Sequence, residues 1–553
     1  MSAPADAPPG APVLEMRGLR VALPAGSDRP LALDGLDLDV RAGEIVCLVG
    51  ESGSGKSLAA SAAMRLLPEP EVHVAGGAVR FEGRDVLALT EREMRGLRGS
   101  AMAMVFQEPM TALNPQKTVG WQIDEVLRLH TDDRAPTRRA RALAILERVR
   151  IPEPPSALAA YPHQISGGQR QRVMIAMALI LSPRLLICDE PTTALDVTTQ
   201  LRILRLVREL QEERGTAVLF ITHDFGVVAE IADRVVVLRE GLTVEQGPAS
   251  EVLQAPRHPY TRALVAAVPD LAPPPPRPAA GEPVMEARGL TKTFAARGGL
   301  LRARRSEVRA VDDVSFALRR GETLGVVGES GSGKTTVARL VTRLLRADGG
   351  RVELGGRDLL AAPRAEMRAL RREVQMVFQD PSASLNPRRR VVDLIAQGPI
   401  VHGAKRAEAR ARARELLDLV ELSPAAADRF PHEFSGGQRQ RIGIARALAM
   451  EPRVIVADEP VSALDVSVQA QVLRLLADLR ERLSLSLLFV THDLRVAAQL
   501  CDRILVMRNG RVVEEGATAE VFAQPRHEYT RLLLSSIPGR GWTPPGTDAR
   551  GAA

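Results

Sequence analysis

Aromatic residues are scarce in this sequence and make up 3% of its 553 residues. Proteins that bind single-stranded nucleic acid stack the bases on aromatic side chains, so this scarcity argues against that class. Cysteine is rarer still, and Cys47, Cys188 and Cys501 are each isolated among apolar neighbours. With no C-x-x-C pair and no disulfide framework, they are predicted to be small core residues in a reducing compartment.

Long hydrophobic runs are also missing. The most apolar run, residues 173–183, lies between two arginines and is much shorter than the roughly 20 residues that span a bilayer. The N-terminus, residues 1–12, is rich in Pro and Ala and has neither the basic start nor the apolar core of a signal peptide. We therefore expect a cytoplasmic protein whose membrane association, if any, arises through a partner.

The charge balance points to no polyanionic partner. The net charge of +7 is small for this length, and the arginines are spread along the chain, so neither nucleic acid nor anionic lipid is indicated. A content of 45% hydrophobic and 25% charged residues is that of a soluble globular protein. The length exceeds what one hydrophobic core usually supports, which predicts two or more domains.

One motif of the form G-x-x-x-x-G-K-[ST] occurs twice. Its residues are Gly50, Glu51, Ser52, Gly53, Ser54, Gly55, Lys56 and Ser57 in the first copy and Gly328, Glu329, Ser330, Gly331, Ser332, Gly333, Lys334 and Thr335 in the second. Glycines let backbone N–H groups point at phosphate oxygens, the lysine reaches the β- and γ-phosphates, and the hydroxyl serves Mg²⁺. An apolar stretch precedes each copy and helix formers follow, from Leu58 to Leu67 and from Val337 to Leu345. A Gly/Ser-rich turn with a solvated lysine is the alternative, and two copies in matched contexts argue against it.

The rest of the chain is duplicated as well. Lys56 and Lys334 lie 278 residues apart, and Asp189 and Asp458 lie 269 apart, so insertions and deletions fall in loops. The predicted domains are residues 12–270 and 283–540, joined by a Pro-rich linker at 271–282, with disordered tails at 1–11 and 541–553. The predicted fold class is α/β, with two tandem P-loop NTPase domains that each carry a helical subdomain, at residues 119–158 in the first copy.

An acidic pair follows an apolar strand in each copy. Asp189 and Asp458 are expected to hold Mg²⁺, and Glu190 and Glu459 to orient or deprotonate the attacking water. Beyond each glutamate, by 33 residues in both copies, His223 and His492 follow another apolar strand. A solvated strand end and a structural histidine are the alternatives, and the matched spacing favours contact with a γ-phosphate.

A serine–glycine segment occurs in both copies. Its residues are Ser166, Gly167, Gly168 and Gln169 in the first copy and Ser435, Gly436, Gly437 and Gln438 in the second. In the first copy a helix is predicted to follow, from Arg170 to Leu181. These segments resemble the signature of ATP-binding-cassette (ABC) ATPases. A serine and free N–H groups at a helix N-terminus form an anion site, and the resemblance implies that it closes over ATP on the opposite cassette, the two cassettes pairing within one chain. Gln107 and Gln379 match the Q-loop, which contacts Mg²⁺ and senses the transmembrane partner. Ala194-Leu195-Asp196 and Ala463-Leu464-Asp465 match the D-loop.

Two further pairs of segments are repeated. Leu113-Asn114-Pro115 and Leu385-Asn386-Pro387 follow the Q-loops, and the tails read Arg257-His258-Pro259-Tyr260-Thr261 and Arg526-His527-Glu528-Tyr529-Thr530. These segments resemble the ATPase subunits of oligopeptide, dipeptide and glutathione importers. This resemblance implies an ATPase that uses ATP and Mg²⁺, with two membrane-spanning permease subunits and, indirectly, an extracytoplasmic solute-binding protein. It places the chain peripherally on the cytoplasmic face of the inner membrane and leaves open whether the solute is a peptide, glutathione or a nickel chelate.

Two alternatives accompany this interpretation. A soluble tandem-cassette ATPase acting on ribosomes would have a long, charged, helical linker, and the short Pro-rich linker here favours the importer. Phe294 matches the aromatic residue on which the family stacks adenine, and Leu23 stands in its place in the first copy. The alternative for Phe294 is a core aromatic residue. The basic loop at residues 297–309 is expected to be a solvated hairpin.

Overall fold

The computed structural model describes residues 11–107, 112–192, 195–274, 281–295, 307–462 and 464–545. These residues form two compact units: unit 1 consists of the described residues up to Ala266 and from Pro538 onward, and unit 2 of the described residues from Ala267 to Ile537. The predicted tandem α/β fold class is confirmed. The return of the chain to unit 1 after Ile537 was not predicted. Most of the predicted basic loop and both chain ends lie outside the described residues.

Unit 1 follows the predicted order of elements. Its strands are β1 (Pro12–Ala22), β2 (Leu31–Arg41), β3 (Ile45–Val49), β4 (His73–Phe81), β5 (Arg84–Asp85), β6 (Met102–Val105), β7 (Leu185–Asp189), β8 (Ala217–Ile221), β9 (Arg234–Arg239) and β10 (Leu242–Pro248). Its helices are α1 (Lys56–Ala63), α2 (Glu91–Leu97), α3 (Val119–His130), α4 (Ala135–Arg148), α5 (Pro154–Ala159), α6 (Gly167–Leu179), α7 (Val197–Arg214), α8 (Phe225–Ile231), α9 (Ala249–Gln254) and α10 (Pro259–Ala266).

Unit 2 repeats this order. Its strands are β11 (Pro283–Ala295), β12 (Glu307–Arg319), β13 (Thr323–Val327), β14 (Gly349–Leu354), β15 (Arg357–Asp358), β16 (Val374–Val377), β17 (Val454–Asp458), β18 (Ser486–Thr491), β19 (Arg503–Arg508) and β20 (Arg511–Ala517). Its helices are α11 (Lys334–Val341), α12 (Arg364–Glu373), α13 (Pro381–Ser384), α14 (Val391–Val401), α15 (Arg406–Leu419), α16 (Gly436–Leu448), α17 (Val466–Leu483), α18 (Leu494–Leu500), α19 (Thr518–Ala523) and α20 (Glu528–Ser535).

Each unit contains one largely parallel sheet and one antiparallel sheet. In unit 1 their strand orders are β10-β9-β3-β8-β7-β6 and β2-β1-β4-β5. Strands β3, β7 and β8 are buried along their whole length, as expected of apolar runs covered on both faces of a parallel sheet. Because β3, β6, β7 and β8 run parallel, the residues that follow them meet at one edge of the sheet. Unit 2 has the equivalent orders, β16-β17-β18-β13-β19-β20 and β12-β11-β14-β15.

Three predicted helix starts are wrong by two or three residues. The helices expected from Leu58 and Val337 begin at Lys56 and Lys334, and the one expected from Arg170 begins at Gly167. The apolar periodicity from which they were predicted starts only after the polar first turn. The turn itself is set by the glycine cap of each phosphate loop and by the capping serine of α6.

The predicted helical insert is confirmed as the three helices α3, α4 and α5. Thr118 caps α3 by accepting a hydrogen bond from the backbone N–H of Trp121 at 3.2 Å. The three cysteines are buried and free, and burial raises the pKa of each thiol. Among the residues that the structure describes, no helix is both long and apolar enough to cross a bilayer.

Candidate functional site

The loop at residues 50–57 connects β3 to α1 in a conformation that requires glycine. Gly50, Gly53 and Gly55 have φ angles of 152°, 78° and 103°. A Cβ atom at Gly50 would lie 2.2 Å from the carbonyl oxygen of Leu238, so any other residue would force β9 away. In unit 2, Gly328, Gly331 and Gly333 repeat the three angles at 150°, 81° and 105°. The same three positions therefore require glycine in both units.

The lysine of each loop is buried and turned back onto the loop. Lys56 Nζ donates to the carbonyl oxygens of Gly50 and Glu51 at 2.7 and 2.8 Å, and Lys334 does the same at 2.8 and 2.9 Å. The buried hydroxyl of Ser54 has no hydrogen-bond partner among the described residues. A buried cation beside an unsatisfied hydroxyl is a setting that suits an anionic group such as phosphate.

The predicted magnesium ligands lie next to each other. Ser57 Oγ donates to Asp189 Oδ1 at 3.0 Å, and Thr335 Oγ1 to Asp458 Oδ1 at 3.0 Å. Burial, reinforced by the charge of Glu190, raises the pKa of Asp189 to about 6, and burial raises the pKa of Asp458. A cation near these carboxylates would favour their charged form.

The donor set fits magnesium rather than a protein-only metal cage. Within the described ranges, no group of three or more His, Cys, Asp or Glu side chains could hold a metal ion. Mg²⁺ typically takes one or two protein oxygens and completes its shell with water and substrate phosphates. One hydroxyl and one carboxylate per unit match that mode of coordination.

The two candidate bases occupy a strained backbone conformation. Glu190 and Glu459 have φ angles of 46° and 47°, in the left-handed region that non-glycine residues rarely adopt. Each follows a buried strand, β7 or β17, and its N–H is held by the neighbouring strand through Ile221 or Val490. Such strain persists where the surroundings impose it and concentrates at functional sites.

Each candidate base contacts the predicted glutamine and histidine. Glu190 lies 3.2 Å from Gln107 Nε2 and 3.2 Å from His223 Nδ1. In unit 2, Glu459 lies 2.9 Å from Gln379 Nε2. The structure therefore brings together residues from the ends of three parallel strands around one carboxylate. Sequence spacing predicted the glutamate and the histidine, and the family resemblance predicted the glutamine, but neither predicted that the histidine and glutamine would meet on the glutamate.

The histidine–glutamate pair of unit 2 behaves as an ion pair. Burial opposes both charges, but the hydrogen bond from His492 and the positive charges of His492 and Lys334 lower the pKa of Glu459. For His492, burial is likewise outweighed by the hydrogen bond to Glu459 and by that carboxylate's charge, which raise the pKa of the imidazole. Glu459 is therefore ionised over a wider pH range than an ordinary glutamate.

Leu23 lines the cleft beside the first phosphate loop. The cleft has a volume of about 550 Å³ and is also lined by Lys56, Ser57, Gln107 and Glu190. Leu23 thus lies in the same cleft as the phosphate loop but offers no ring.

In unit 2 the equivalent residue, Phe294, is 42% exposed. Lys292 Nζ lies 5.7 Å from the centroid of its ring and pairs with Asp348 at 2.7 Å. The alternative that Phe294 is a core aromatic residue is therefore wrong. An accessible ring face is what stacking on a base requires.

The signature segment begins a helix in each unit. Ser166 caps α6: its hydroxyl accepts from the N–H of Gln169 at 3.3 Å, and Gln169 Oε1 accepts from the N–H of Ser166 at 2.9 Å. Ser435 and Gln438 make the same capping box. These hydrogen bonds are local to the first turn and do not join the signature to the phosphate loop.

Only some of the signature glycines are explained by packing. A Cβ at Gly437 would lie 2.1 Å from Val468, whereas a Cβ at Gly167 would meet nothing within 4 Å. Ala194 and Ala463 of the predicted D-loops lie outside the described residues, while Asp196 caps α7 by accepting from the N–H of Thr199 at 2.9 Å.

Two site residues escaped the sequence analysis. The hydroxyl of Tyr260 accepts a hydrogen bond from the N–H of Glu51 at 3.2 Å, and that of Tyr529 from the N–H of Glu329 at 3.1 Å. The sequence signal that points to them is the duplicated Arg-His-x-Tyr-Thr tail.

Comparison with known proteins adds the family. The profile described as ABC transporter matches residues 33–193 and 311–462, and the profile described as oligopeptide/dipeptide transporter, C-terminal region, matches residues 244–299 and 513–544. The peptidoglycan transport ATP-binding protein YejF of Agrobacterium fabrum is 48% identical over 528 residues, which cover 95% of this chain and 96% of that protein. The glutathione import ATP-binding protein GsiA of Escherichia coli K12 is 47% identical over 562 residues, which cover 95% of this chain and 89% of that protein.

The profile of the cassette matches both halves of the chain, and the relatives match it over nearly its whole length. The expected importer ATPase is confirmed and is favoured over the ribosome-acting alternative. The chain belongs to the ABC transporter family, as an ATP-binding importer subunit that carries two cassettes in one polypeptide.

Proposed function

We propose that each unit hydrolyses ATP with the residues grouped around its glutamate, Glu190 or Glu459. The observation that carries this proposal is the contact of each glutamate with a histidine, at 3.2 Å for His223 and 3.1 Å for His492. In both units this contact lies at the sheet edge that also carries the phosphate loop. A carboxylate oriented in this way can hold the attacking water and accept its proton.

The other residues of each site bind the phosphates, Mg²⁺ and adenine or orient the glutamate. Lys56 and Lys334 bind the β- and γ-phosphates, and the loop N–H groups bind the remaining oxygens. Ser57 with Asp189, and Thr335 with Asp458, hold Mg²⁺, which neutralises charge on the phosphates when bound. Gln107 and Gln379 orient the glutamate, and His223 and His492 contact the γ-phosphate. Phe294 stacks on adenine in unit 2, and Leu23 packs against it in unit 1.

The signature residues complete the site by resemblance to the cassette family. Ser166 and Ser435, with the glycines and glutamines that follow them, serve ATP bound to the opposite cassette, and the two cassettes of one chain pair with each other. The open space around Gly167 supports this role, because packing within its own cassette does not require glycine at that position.

The transported solute is a peptide or a related compound such as glutathione or a peptidoglycan fragment. The matched oligopeptide/dipeptide C-terminal region and the names of the two relatives support this class. The chain acts at the cytoplasmic face of the inner membrane through two permease subunits, which an extracytoplasmic binding protein supplies with solute.

Reconstitution tests the function directly. The chain is co-expressed with a candidate pair of permease subunits, placed in liposomes, and supplied with binding protein loaded with a dipeptide or with glutathione. We expect ATP hydrolysis to rise and the solute to enter only when permeases and loaded binding protein are both present. Co-sedimentation with ribosomes and indifference to the permeases would instead support the rejected alternative.

A further inference from the structure

We propose that Tyr260 and Tyr529 are positioning residues for ATP: each anchors the phosphate loop of its own unit to the C-terminal tail and thereby sets nucleotide affinity. The inference rests on the proposed role of the two phosphate loops. It assigns a function to the tail that goes beyond family membership.

The same contact is built twice from distant parts of the chain. Tyr260 lies in α10, 209 residues from Glu51, and Tyr529 lies in α20, 200 residues from Glu329. In both units the phenol oxygen accepts from the N–H of the second residue of the loop, at 3.2 and 3.1 Å. A repeated contact across such separations indicates that the tail helix is aimed at the loop.

The contact reaches the phosphate-binding lysine through a single residue. The N–H of Glu51 donates to Tyr260, and the carbonyl oxygen of Glu51 accepts from Lys56 Nζ at 2.8 Å. In unit 2, Glu329 joins Tyr529 to Lys334 in the same way, at 2.9 Å on the lysine side. The tyrosine therefore fixes the peptide against which the lysine rests, directly after the glycine that cannot carry a side chain.

The tail is itself held in place by hydrogen bonds, so the position of the tyrosine is fixed. Glu245 in β10 accepts from the N–H groups of Arg257 and His258 at 2.7 and 3.0 Å. His258 Nδ1 then accepts from the N–H of Tyr260 at 3.2 Å, and the guanidinium of Arg239 lies 5.1 Å from the tyrosine ring centroid.

Unit 2 repeats this arrangement. Glu514 accepts from the N–H groups of Arg526 and His527 at 2.8 and 3.0 Å, and Arg508 lies 4.8 Å from the ring centroid of Tyr529. In the paired Arg-His-x-Tyr motif, the backbone N–H groups of Arg and His thus hold the tail, and the Tyr hydroxyl reaches the phosphate loop.

The phenol of each tail tyrosine stays protonated. Burial raises the pKa of Tyr260 to about 12, helped by the charge of Glu51 and a hydrogen bond with its side chain and opposed by the Glu51 N–H. Burial also raises the pKa of Tyr529. The hydroxyl accepts from the backbone N–H of Glu51, so phenylalanine removes this hydrogen bond while keeping the ring.

The test measures each site alone. Lys334→Ala leaves the first unit as the intact nucleotide site, and Lys56→Ala leaves the second. Binding of the fluorescent analogue mant-ATP is measured in each background after Tyr260→Phe, Tyr529→Phe or, as the matched control, Tyr161→Phe. Tyr161 lies outside both tails and stacks on His163.

We expect a crossed pattern. Loss of one hydrogen bond weakens binding by about three- to tenfold. Tyr260→Phe should do so in the Lys334→Ala background and not in the Lys56→Ala background, and Tyr529→Phe should do the reverse. Tyr161→Phe should change neither affinity. In the otherwise native chain, each tail variant should raise KM for ATP and change kcat little, because the glutamates are untouched.

Hydrogen exchange distinguishes a local effect on the phosphate loop from a general loss of stability in the unit. A peptide containing Glu51 should exchange faster in Tyr260→Phe, while one containing β7 (Leu185–Asp189) should not change. Unchanged affinity in the matching background, or equal loss in both backgrounds with faster exchange throughout, would overturn the proposal. If the double variant Lys56→Ala with Lys334→Ala still binds mant-ATP as the native chain does, the phosphate-loop assignment fails instead.

Discussion

Glu459 Oε2 lies 3.1 Å from Nδ1 of His492. The pair lowers the pKa of the carboxyl and raises that of the imidazole, so each partner holds the other in its charged form. Unfolding releases both groups to their ordinary pKa values of 4.5 and 6.5. The pair is therefore a source of stability that depends on pH.

The first prediction concerns that dependence. The contribution of Glu459, whose folded pKa is lowered, is present above its ordinary pKa and is lost as the pH falls through the folded value. The contribution of His492, whose folded pKa is raised, is present below its ordinary pKa and is lost as the pH rises through the folded value. The pair should thus stabilise unit 2 most between pH 4.5 and 6.5.

Thermal unfolding of His492→Gln against the native chain measures this. A partly exposed pair contributes about 1 kcal/mol, which lowers the midpoint of unit 2 by about 2–4 °C within that window. The difference should shrink at pH 8 and above. The exposed His73→Gln is the control, and a difference that stays constant from pH 5 to 9 would contradict the prediction.

The second prediction concerns the bases. Glu190→Gln with Glu459→Gln should keep mant-ATP binding and reduce ATP hydrolysis by at least about 100-fold, because an amide cannot accept the proton. Glu212→Gln, on an exposed face of α7, is the matched control and should retain full activity. Hydrolysis at the native rate in the double variant would remove both glutamates from the proposed chemistry.

Much of this site was predictable because its parts are strand-end motifs. Lys56, Asp189 and His223 follow apolar runs, and parallel strands bring their ends to one edge whatever the loops between them do. The capping box of Ser166 was less visible, since its polar turn precedes the apolar periodicity that marks a helix. For that reason the predicted start of α6 lies three residues after the observed start.

What the sequence did not predict depends on tertiary contact. The left-handed backbone of Glu190 carries no local sequence mark. The packing of the residues after Ile537 within unit 1 carries no local sequence mark either. There the N–H of Gly539 donates to Glu230 Oε2 at 3.0 Å. Gly226 leaves room for it, since a Cβ there would lie 2.8 Å from the carbonyl oxygen of Pro538. The repeat predicted the second tail but not the position of the residues that follow it.

The third prediction concerns adenine. Leu23 lines the first cleft where unit 2 has Phe294, and stacking on an aromatic ring is worth about 1 kcal/mol. Leu23→Phe in the Lys334→Ala background should tighten mant-ATP binding by about fivefold. Leu129→Phe, at a position 69% exposed on α3, is the control. No change with Leu23→Phe, together with equal affinities of the two native sites, would contradict the proposed asymmetry.

The last prediction concerns which signature serves which phosphate loop. By resemblance to the cassette family, one site combines Lys56 and Glu190 with Ser435, and the other combines Lys334 and Glu459 with Ser166. Residues that act in one site are non-additive when mutated together, whereas losses in separate sites compound. Lys56→Ala with Ser435→Arg should therefore damage one site and leave residual hydrolysis.

The partner variant, Lys56→Ala with Ser166→Arg, should cripple both sites and leave far less. ATP hydrolysis of the two double variants is compared at a protein concentration at which gel filtration finds only monomers, so that no second chain supplies a signature. The single variants Ser166→Arg and Ser435→Arg, which place the same side chain at equivalent helix caps, serve as controls for misfolding. If the pair of Lys56→Ala with Ser166→Arg is the milder one, each cassette completes its own site, and the pairing inferred from the family is wrong for this chain.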